Sequence, residues 1–343
     1  MDDLKMDVEA IWTRLSDEKS KELFLYRLMY YMTSENCFIQ KLALTVPEVK
    51  DIYNFLKISK KRKLIFGAGT WGKEIIRTFN DVDFKYFVDN YQRGSSGGVK
   101  IIPFDEYITN YKEDLIVISS RIYNRQISNQ LMEKGVKEEN IVNLGAVNDC
   151  MASRQYFDLP QLKGKRCEKE IFVDGGSYDG KSSVGFRDWS RNSYNKIIAF
   201  EPDFYNINMC ERTFQENGIN NYEIISKGLW SESAVLQFNE NRNGSSRLVA
   251  SGGNCEVSVD SLDNMIHDDV TFIKMDIEGS EYQALLGAKQ IIKEKVPKLA
   301  ISVYHNPEDI VQIPRLILSL RKEYKFYIRH YSSTGFDTIL YAV

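Results

Sequence analysis

At 343 residues the chain exceeds one typical domain, and an apolar content of 43% is ordinary for a globular protein, so two or three packed units are expected. The 45 Lys and Arg against 48 Asp and Glu leave a net charge of -3, which repels a polyanion; the one basic run, KISKKRK at 57–63, reads as a solvated linker, so no nucleic-acid partner is expected. Cys37, Cys150, Cys167, Cys210 and Cys255 are widely spaced without a CxxC pair, the N-terminus is acidic without an apolar core, and no stretch reaches the roughly 18 apolar residues of a membrane span. These features argue against a disulfide framework, a zinc site, a signal peptide and a membrane span, and the expected location is cytoplasmic.

In chain order, residues 1–60 place Ile11, Leu15, Leu25, Leu28, Met29 and Met32 at helical spacing and read as a helical segment. Its aromatics Phe24, Tyr26, Tyr30 and Tyr31 either pack on a neighbouring domain or second subunit, making a homodimer reasonable, or line a partner surface. Residues 61–147 alternate: strand KLIF, a glycine turn, helix KEIIRTF, strand FKYFVDN, strand DLIVIS at 114–119, helix NRQISNQLMEKG and strand NIVNL. That order predicts a small Rossmann-like α/β domain, a parallel sheet of three or four strands with crossover helices. Its turn, Gly67-Ala68-Gly69-Thr70-Trp71-Gly72, matches G-x-G-x-x-G, with Asp89 ending the next strand 20 residues beyond Gly69. Gly67, Gly69, Gly72 and Asp89 therefore outline a second nucleotide-type site, or the glycines simply permit a tight strand-to-helix turn. So small a unit accommodates a whole NAD poorly.

Residues 148–169 are less apolar and read as a linker, after which a longer α/β unit runs over 170–343. EIFVDGGSYDG opens it, with Asp174, Gly176 and Gly180 spaced as D-x-G-x-x-x-G at a strand's carboxyl end, where open α/β sheets bind ligands. Glycine lets a backbone approach a ligand closely, and the helix amides beyond the turn suit a carboxylate. Glu201 ends the next strand 25 residues after Gly176, in AFEPD, where its carboxylate can accept from both hydroxyls of a ribose. Further on, KMDIEG presents Asp276 and Glu278, two apart and so on one side of an extended strand, and ISVYHNPED presents His305 near the mouth of the same cleft. These three are the candidate catalytic residues: an alcohol is a poor nucleophile until it sheds its proton, and His305 is either the base or a turn residue bonded to backbone. Two carboxylates and a histidine could also grip a divalent metal, but nothing in the sequence fixes their distances, and no metal is assigned. The Gly/Ser/Asn-rich stretch 239–254 carries Arg247, placed either to meet an anionic acceptor or on an exposed hairpin without a role.

Taken together and in order, FVDGGSYDG, IIAFEPD, VSVDSLDNMI, FIKMDIEGSEYQALLGA and TILYAV resemble the FkbM family of S-adenosylmethionine-dependent methyltransferases over about 170–343. The resemblance implies a class I methyltransferase fold, a Rossmann-like seven-stranded sheet with the last strand antiparallel, and methyl transfer mostly to hydroxyl oxygens of sugars and natural products. It implies S-adenosylmethionine as cofactor, held by Asp174, Gly175, Gly176 and Ser177, with Asp174 facing the amino end of the methionine moiety. It further implies Glu201 on the ribose and Lys227 and Gly228 near the adenine. Residues 63–145 are similar, more weakly, to small Rossmann-type domains attached to sugar-modifying enzymes. The expected function is O-methylation of a carbohydrate or of a nucleotide- or lipid-linked glycan. The rivals are a nicotinamide- or nucleotide-sugar-dependent enzyme working through 61–147 and a non-catalytic scaffold of methyltransferase fold.

Overall fold

The computed structural model describes residues 2–165, 169–239, 247–249, 252–253 and 255–343, the side chains of residues 2 and 247–249 excepted. The chain divides into two compact units, one of residues 1–28, 155–329 and 338–343, the other of 29–154 and 330–337. The division departs from the expected boundaries, because the N-terminal helices form no unit of their own. Helix Asp2–Trp12 belongs with the larger unit, where Ile11 is fully buried and Asp7 Oδ2 lies 3.0 Å from Arg315 Nη1. The expected linker is also structured: it contains most of helix Leu144–Ala152, capped by the Asn143 side chain accepting from the Ala146 amide, and the short helix Pro160–Lys163.

In the smaller unit the strands are β1 (Lys63–Phe66), β2 (Phe84–Asp89), β3 (Gly94–Ser96), β4 (Val99–Pro103), β5 (Leu115–Ile118) and β6 (Ile141–Val142). They form one sheet in the order β3-β4-β2-β1-β5-β6, parallel except for the β3–β4 pair. The sheet has six strands rather than three or four, because the short β3 and β4 in GSSGGVKIIP carry too little apolar alternation to announce themselves. Leu64, Phe66, Val88, Ile102, Ile116, Ile118 and Leu131 fill its core.

The larger unit contains β7 (Glu170–Gly175), β8 (Tyr194–Phe200), β9 (Tyr222–Ile225), β10 (Gly228–Leu229), β11 (Ala234–Asn239), β12 (Arg247–Val249), β13 (Cys255–Asp260), β14 (Phe272–Met275), β15 (Lys298–Ser302), β16 (Phe326–His330) and β17 (Thr338–Ala342). Seven of these form the main sheet in the order β16-β17-β15-β14-β7-β8-β9, with β17 antiparallel to β15 and the strands from β15 to β9 parallel. This is the class I methyltransferase topology. A separate small sheet, β10-β13-β11-β12, replaces the expected hairpin between β9 and β14.

β7, β14 and β15 are buried on both faces, which is why their sequences are continuous apolar runs rather than alternations. Phe172 and Phe186 stack at 4.3 Å beneath the sheet, with Phe157, Trp189 and Phe272 packed around them. At the far edge, Leu15 bridges to Phe326, and Phe326 donates to Arg14 O, so residues 14–16 cover the otherwise open β16.

Candidate active site

The glycine turn after β7 is tied down on every side. The amides of Gly176 and Ser177 both donate to Phe200 O at the end of β8, at 3.0 and 3.1 Å. Gly176 has φ +75°, and a Cβ there would stand 2.0 Å from Asp276 O, so conformation and close approach both demand glycine. Gly180, at φ +78°, heads helix Lys181–Trp189 and leaves Cys210 and Phe214 room to pack against it. A side chain at Gly175 would press on Leu229 Cδ1 at 2.9 Å.

Asp174 has no exposed surface. Its Oδ2 accepts from Ser182 Oγ at 2.6 Å and Ser183 Oγ at 2.7 Å, and its Oδ1 lies 3.0 Å from Lys274 Nζ. Lys274 is itself buried and donates to the carbonyls of Gly175 and Gly176. The carboxylate thus supports the turn from behind. The polar contacts of Asp174 are therefore to the protein's own serines and lysine, on the side of the turn away from solvent.

Glu201 sits at the rim beside the turn. Oε2 accepts from the Tyr178 amide at 3.0 Å, and Oε1 accepts from the Asp203 amide at 3.0 Å and from Asn206 Nδ2 at 3.4 Å. Burial pushes its pKa up against the lowering pull of these donors. Lys227 follows β9 on the same rim and pairs with Asp260 Oδ2 at 2.9 Å, while Gly228 begins β10 against Val259. Arg247 lies on β12, and its side chain falls outside the described residues.

Beyond β14 and β15 the three expected catalytic residues do come together. His305 Nε2 lies 3.6 Å from Asp276 Oδ1 and 3.7 Å from Glu278 Oε2, and its Nδ1 lies 2.9 Å from Oε1 of Glu281. Asp276 also accepts from Tyr156 Oη at 2.6 Å and from Tyr304 Oη at 3.1 Å. Glu278 adopts φ +55°, unusual for a side-chain-bearing residue, and Gly279 follows at φ +97°.

The charges of this cluster decide the roles. Burial would lower the His305 pKa, but the carboxylates of Glu281, Asp276 and Glu278 overcome it and push the imidazole up to about 10. That shift favours the protonated imidazole at neutral pH, which weighs against His305 as general base and toward Asp276. Burial likewise acts to raise Asp276, but the charges of His305 and Lys274 and the Tyr156 hydroxyl hold it below the usual carboxylate range. Asp309, buried near Glu281, is raised to about 7 by that burial and by the Glu281 charge.

The raised histidine has a consequence for stability. Its stabilising effect is fully present below the unfolded value of about 6.5 and is lost as pH rises through about 10, because the folded state binds the extra proton in that window. The protein should therefore lose on the order of a few kcal/mol of stability between those pH values. A His305→Gln variant should flatten the slope in urea unfolding, and an unchanged slope would refute the assignment.

In the smaller unit the glycine turn has structural employment. A Cβ at Gly72 would stand 2.0 Å from Gly67 O, and Gly67, at φ +104°, is covered by Ser119 Oγ. Gly69 heads helix Thr70–Thr78 with open space where a Cβ would be. Asp89 accepts from the amides of Ala68, Tyr91 and Gln92 and so ties the turn to the end of β2.

Three members of the larger site carry no signal strong enough to single them out in the sequence. Tyr156 lies in the presumed linker, and Tyr304 and Glu281 are ordinary neighbours of singled-out residues. Lys274 did leave a trace: a lysine in the apolar run FIKM must be buried with a partner, and the partner is Asp174.

Comparison with known proteins agrees with this geometry. Residues 174–327 match the family described as Methyltransferase FkbM domain, and residues 59–142 match the family described as C2185-like, N-terminal. No curated protein matches the chain. Among solved structures, a methyltransferase FkbM from Methylobacillus flagellatus KT is 21% identical at TM-score 0.52, covering 92% of this chain and 100% of its own. An rRNA methylase from Streptococcus thermophilus is 16% identical at TM-score 0.36, over 53% of this chain and 89% of its own. Fibrillarin from Aeropyrum pernix, with natively bound S-adenosyl-L-methionine, is 12% identical at TM-score 0.35, over 56% of this chain and 76% of its own. The match at 174–327 spans the glycine turn, Glu201, Asp276 and His305, and the larger unit has the class I methyltransferase fold.

Proposed function

We propose that the chain transfers the methyl group of S-adenosylmethionine to a hydroxyl of a carbohydrate or of a nucleotide- or lipid-linked glycan. The observation that carries this reading is the pairing of the glycine turn with Glu201, whose carboxylate bridges the turn and the start of the following helix at the sheet's carboxyl edge, one strand from the Asp276 cluster. A ribose diol would complete the coordination of Glu201, and the sulfonium methyl would point toward Asp276. Lys227 and Gly228 neighbour the adenine. Arg247 is kept as a contact for an anionic acceptor.

Transfer is an in-line displacement. The acceptor oxygen forms a bond to the methyl carbon as the carbon–sulfur bond breaks, sulfur takes the electron pair and departs as a neutral thioether, and the hydroxyl proton passes to Asp276. A carboxylate of low basicity suffices, since the oxygen becomes strongly acidic only as its new bond forms. The greater part of the rate gain comes from holding oxygen, carbon and sulfur in line.

Glu201→Gln should weaken S-adenosylhomocysteine binding by about 1–3 kcal/mol, because an amide cannot accept from the Tyr178 and Asp203 amides and the ribose hydroxyls together. Calorimetry measures this directly. For the activity itself, mass spectrometry should find a +14 Da product after incubation with S-adenosylmethionine and nucleotide sugars or glycans. Failure to bind the cofactor or its demethylated form would sink the reading. The rival site of the smaller unit predicts instead that NAD or a nucleotide sugar alone raises the melting temperature.

A further inference from the structure

Four carboxylates surround one imidazole at the proposed methyl-acceptor position: Asp276, Glu278 and Glu281 face His305 directly, and Asp309 lies close enough to Glu281 to feel its charge. Lys274, whose charge also acts on Asp276, is engaged by Asp174. The cluster therefore carries excess negative charge even with His305 protonated. Glu281 has no exposed surface. Its Oε1 accepts from the Ile277 amide at 2.8 Å and faces His305 Nδ1, while its Oε2 meets no donor among the described residues. A buried carboxylate oxygen without a donor is costly, and such an oxygen calls for a cation.

Asp276, Glu281 and His305 each bring one ligand atom to within 4.8 Å of the others. Two donors on one ion at bond lengths of about 2.1 Å stand roughly 3 to 4.2 Å apart, so modest side-chain rotation closes the triangle. We propose that Asp276, Glu281 and His305 form a divalent-cation site of the larger unit, with Glu278 as a further donor directly or through water. Two carboxylates and one imidazole are a mixed set: carboxylate suits Mg²⁺ and Mn²⁺, imidazole suits Zn²⁺ and Fe²⁺, and Mn²⁺ accepts both. Three protein donors leave positions open for water and for an oxygen of the acceptor, whose proton the ion would acidify. That role rests on the methyl-transfer reading, in which Asp276 would hold the ion through one carboxylate oxygen and take the hydroxyl proton on the other. The binding itself rests on the donors alone.

The test uses the full chain stripped with EDTA and titrated with Mn²⁺, free Mn²⁺ being followed by electron paramagnetic resonance. S-Adenosylhomocysteine is titrated separately by calorimetry. One saturable Mn²⁺ site per chain is expected, weakened by about tenfold or more in Glu281→Gln and in His305→Gln, with the S-adenosylhomocysteine dissociation constant moving by less than about twofold. Should the buried substitutions fail to fold, the partly exposed Glu278→Gln should still weaken Mn²⁺. Absence of saturable binding of Mn²⁺, Zn²⁺ and Mg²⁺ to the wild-type chain overturns the proposal, as does a site indifferent to all three substitutions. Intact Mn²⁺ binding without S-adenosylhomocysteine binding would support the cation site and overturn methyl transfer.

Discussion

Asp276→Asn is expected to slow methyl transfer by about 10²- to 10⁴-fold while leaving the dissociation constant of S-adenosylhomocysteine within a few fold. The substitution is nearly isosteric and keeps an acceptor oxygen for one of the two tyrosine hydroxyls that reach this position, Tyr156 on Oδ2 at 2.6 Å and Tyr304 on Oδ1 at 3.1 Å. What it removes is the negative charge that lies against His305 and that the proposed function assigns to the acceptor. Loss of turnover without loss of cofactor affinity is the signature of a group acting on the acceptor side. Single-turnover kinetics with saturating cofactor provide the measurement, and a variant as fast as the parent would remove Asp276 from the chemistry. Tyr156→Phe should cost less, since it deletes one donor to Asp276 and spares the carboxylate.

Lys274→Met should destabilise the larger unit by about 3–5 kcal/mol, the usual result of leaving one member of a buried ion pair alone. Asp174 would keep the two serine hydroxyls but lose the cation paired with it, and the carbonyls of Gly175 and Gly176 would lose a donor. Pairing the change with Asp174→Asn should recover most of the loss, since neither charge then remains buried. The denaturant midpoint of the cooperative transition reports both variants. If the single and double substitutions unfold at the same concentration, charge is not what holds the turn. Because the turn also positions Glu201 through the Tyr178 amide, the single variant should weaken cofactor binding as well.

How much of this was legible follows from what each residue answers to. The parallel strands could be read because β7, β14 and β15 are buried on both faces and so are spelled as unbroken apolar runs. Gly176 could be read because a backbone carbonyl 2.0 Å from its missing Cβ admits no other residue. The identity of the base could not be read, because a histidine's protonation depends on its neighbours in space. Glu281, 24 residues before His305, looks in the sequence like any acidic residue in a helix's first turn. Tyr156 was hidden for a related reason: it sits at φ +73° in an irregular stretch, held by its amide's bond to Tyr341 Oη, a contact 185 positions away. The domain boundaries failed because compactness followed the packing of helix Asp2–Trp12 and not the order of the chain.

The placement of β17 between β15 and β16 governs how the protein can be made. Eleven of the larger unit's strands precede or include it in synthesis, and none can substitute for it. A nascent chain on the ribosome that has already laid down β7, β8, β14 and β15 still has a gap in its sheet until β17 emerges. Tyr341 arrives with that strand, and with it the bond that fixes Tyr156 beside Asp276. The hydrogen bond between Tyr156 and Asp276 therefore waits on the insertion of β17 into the sheet.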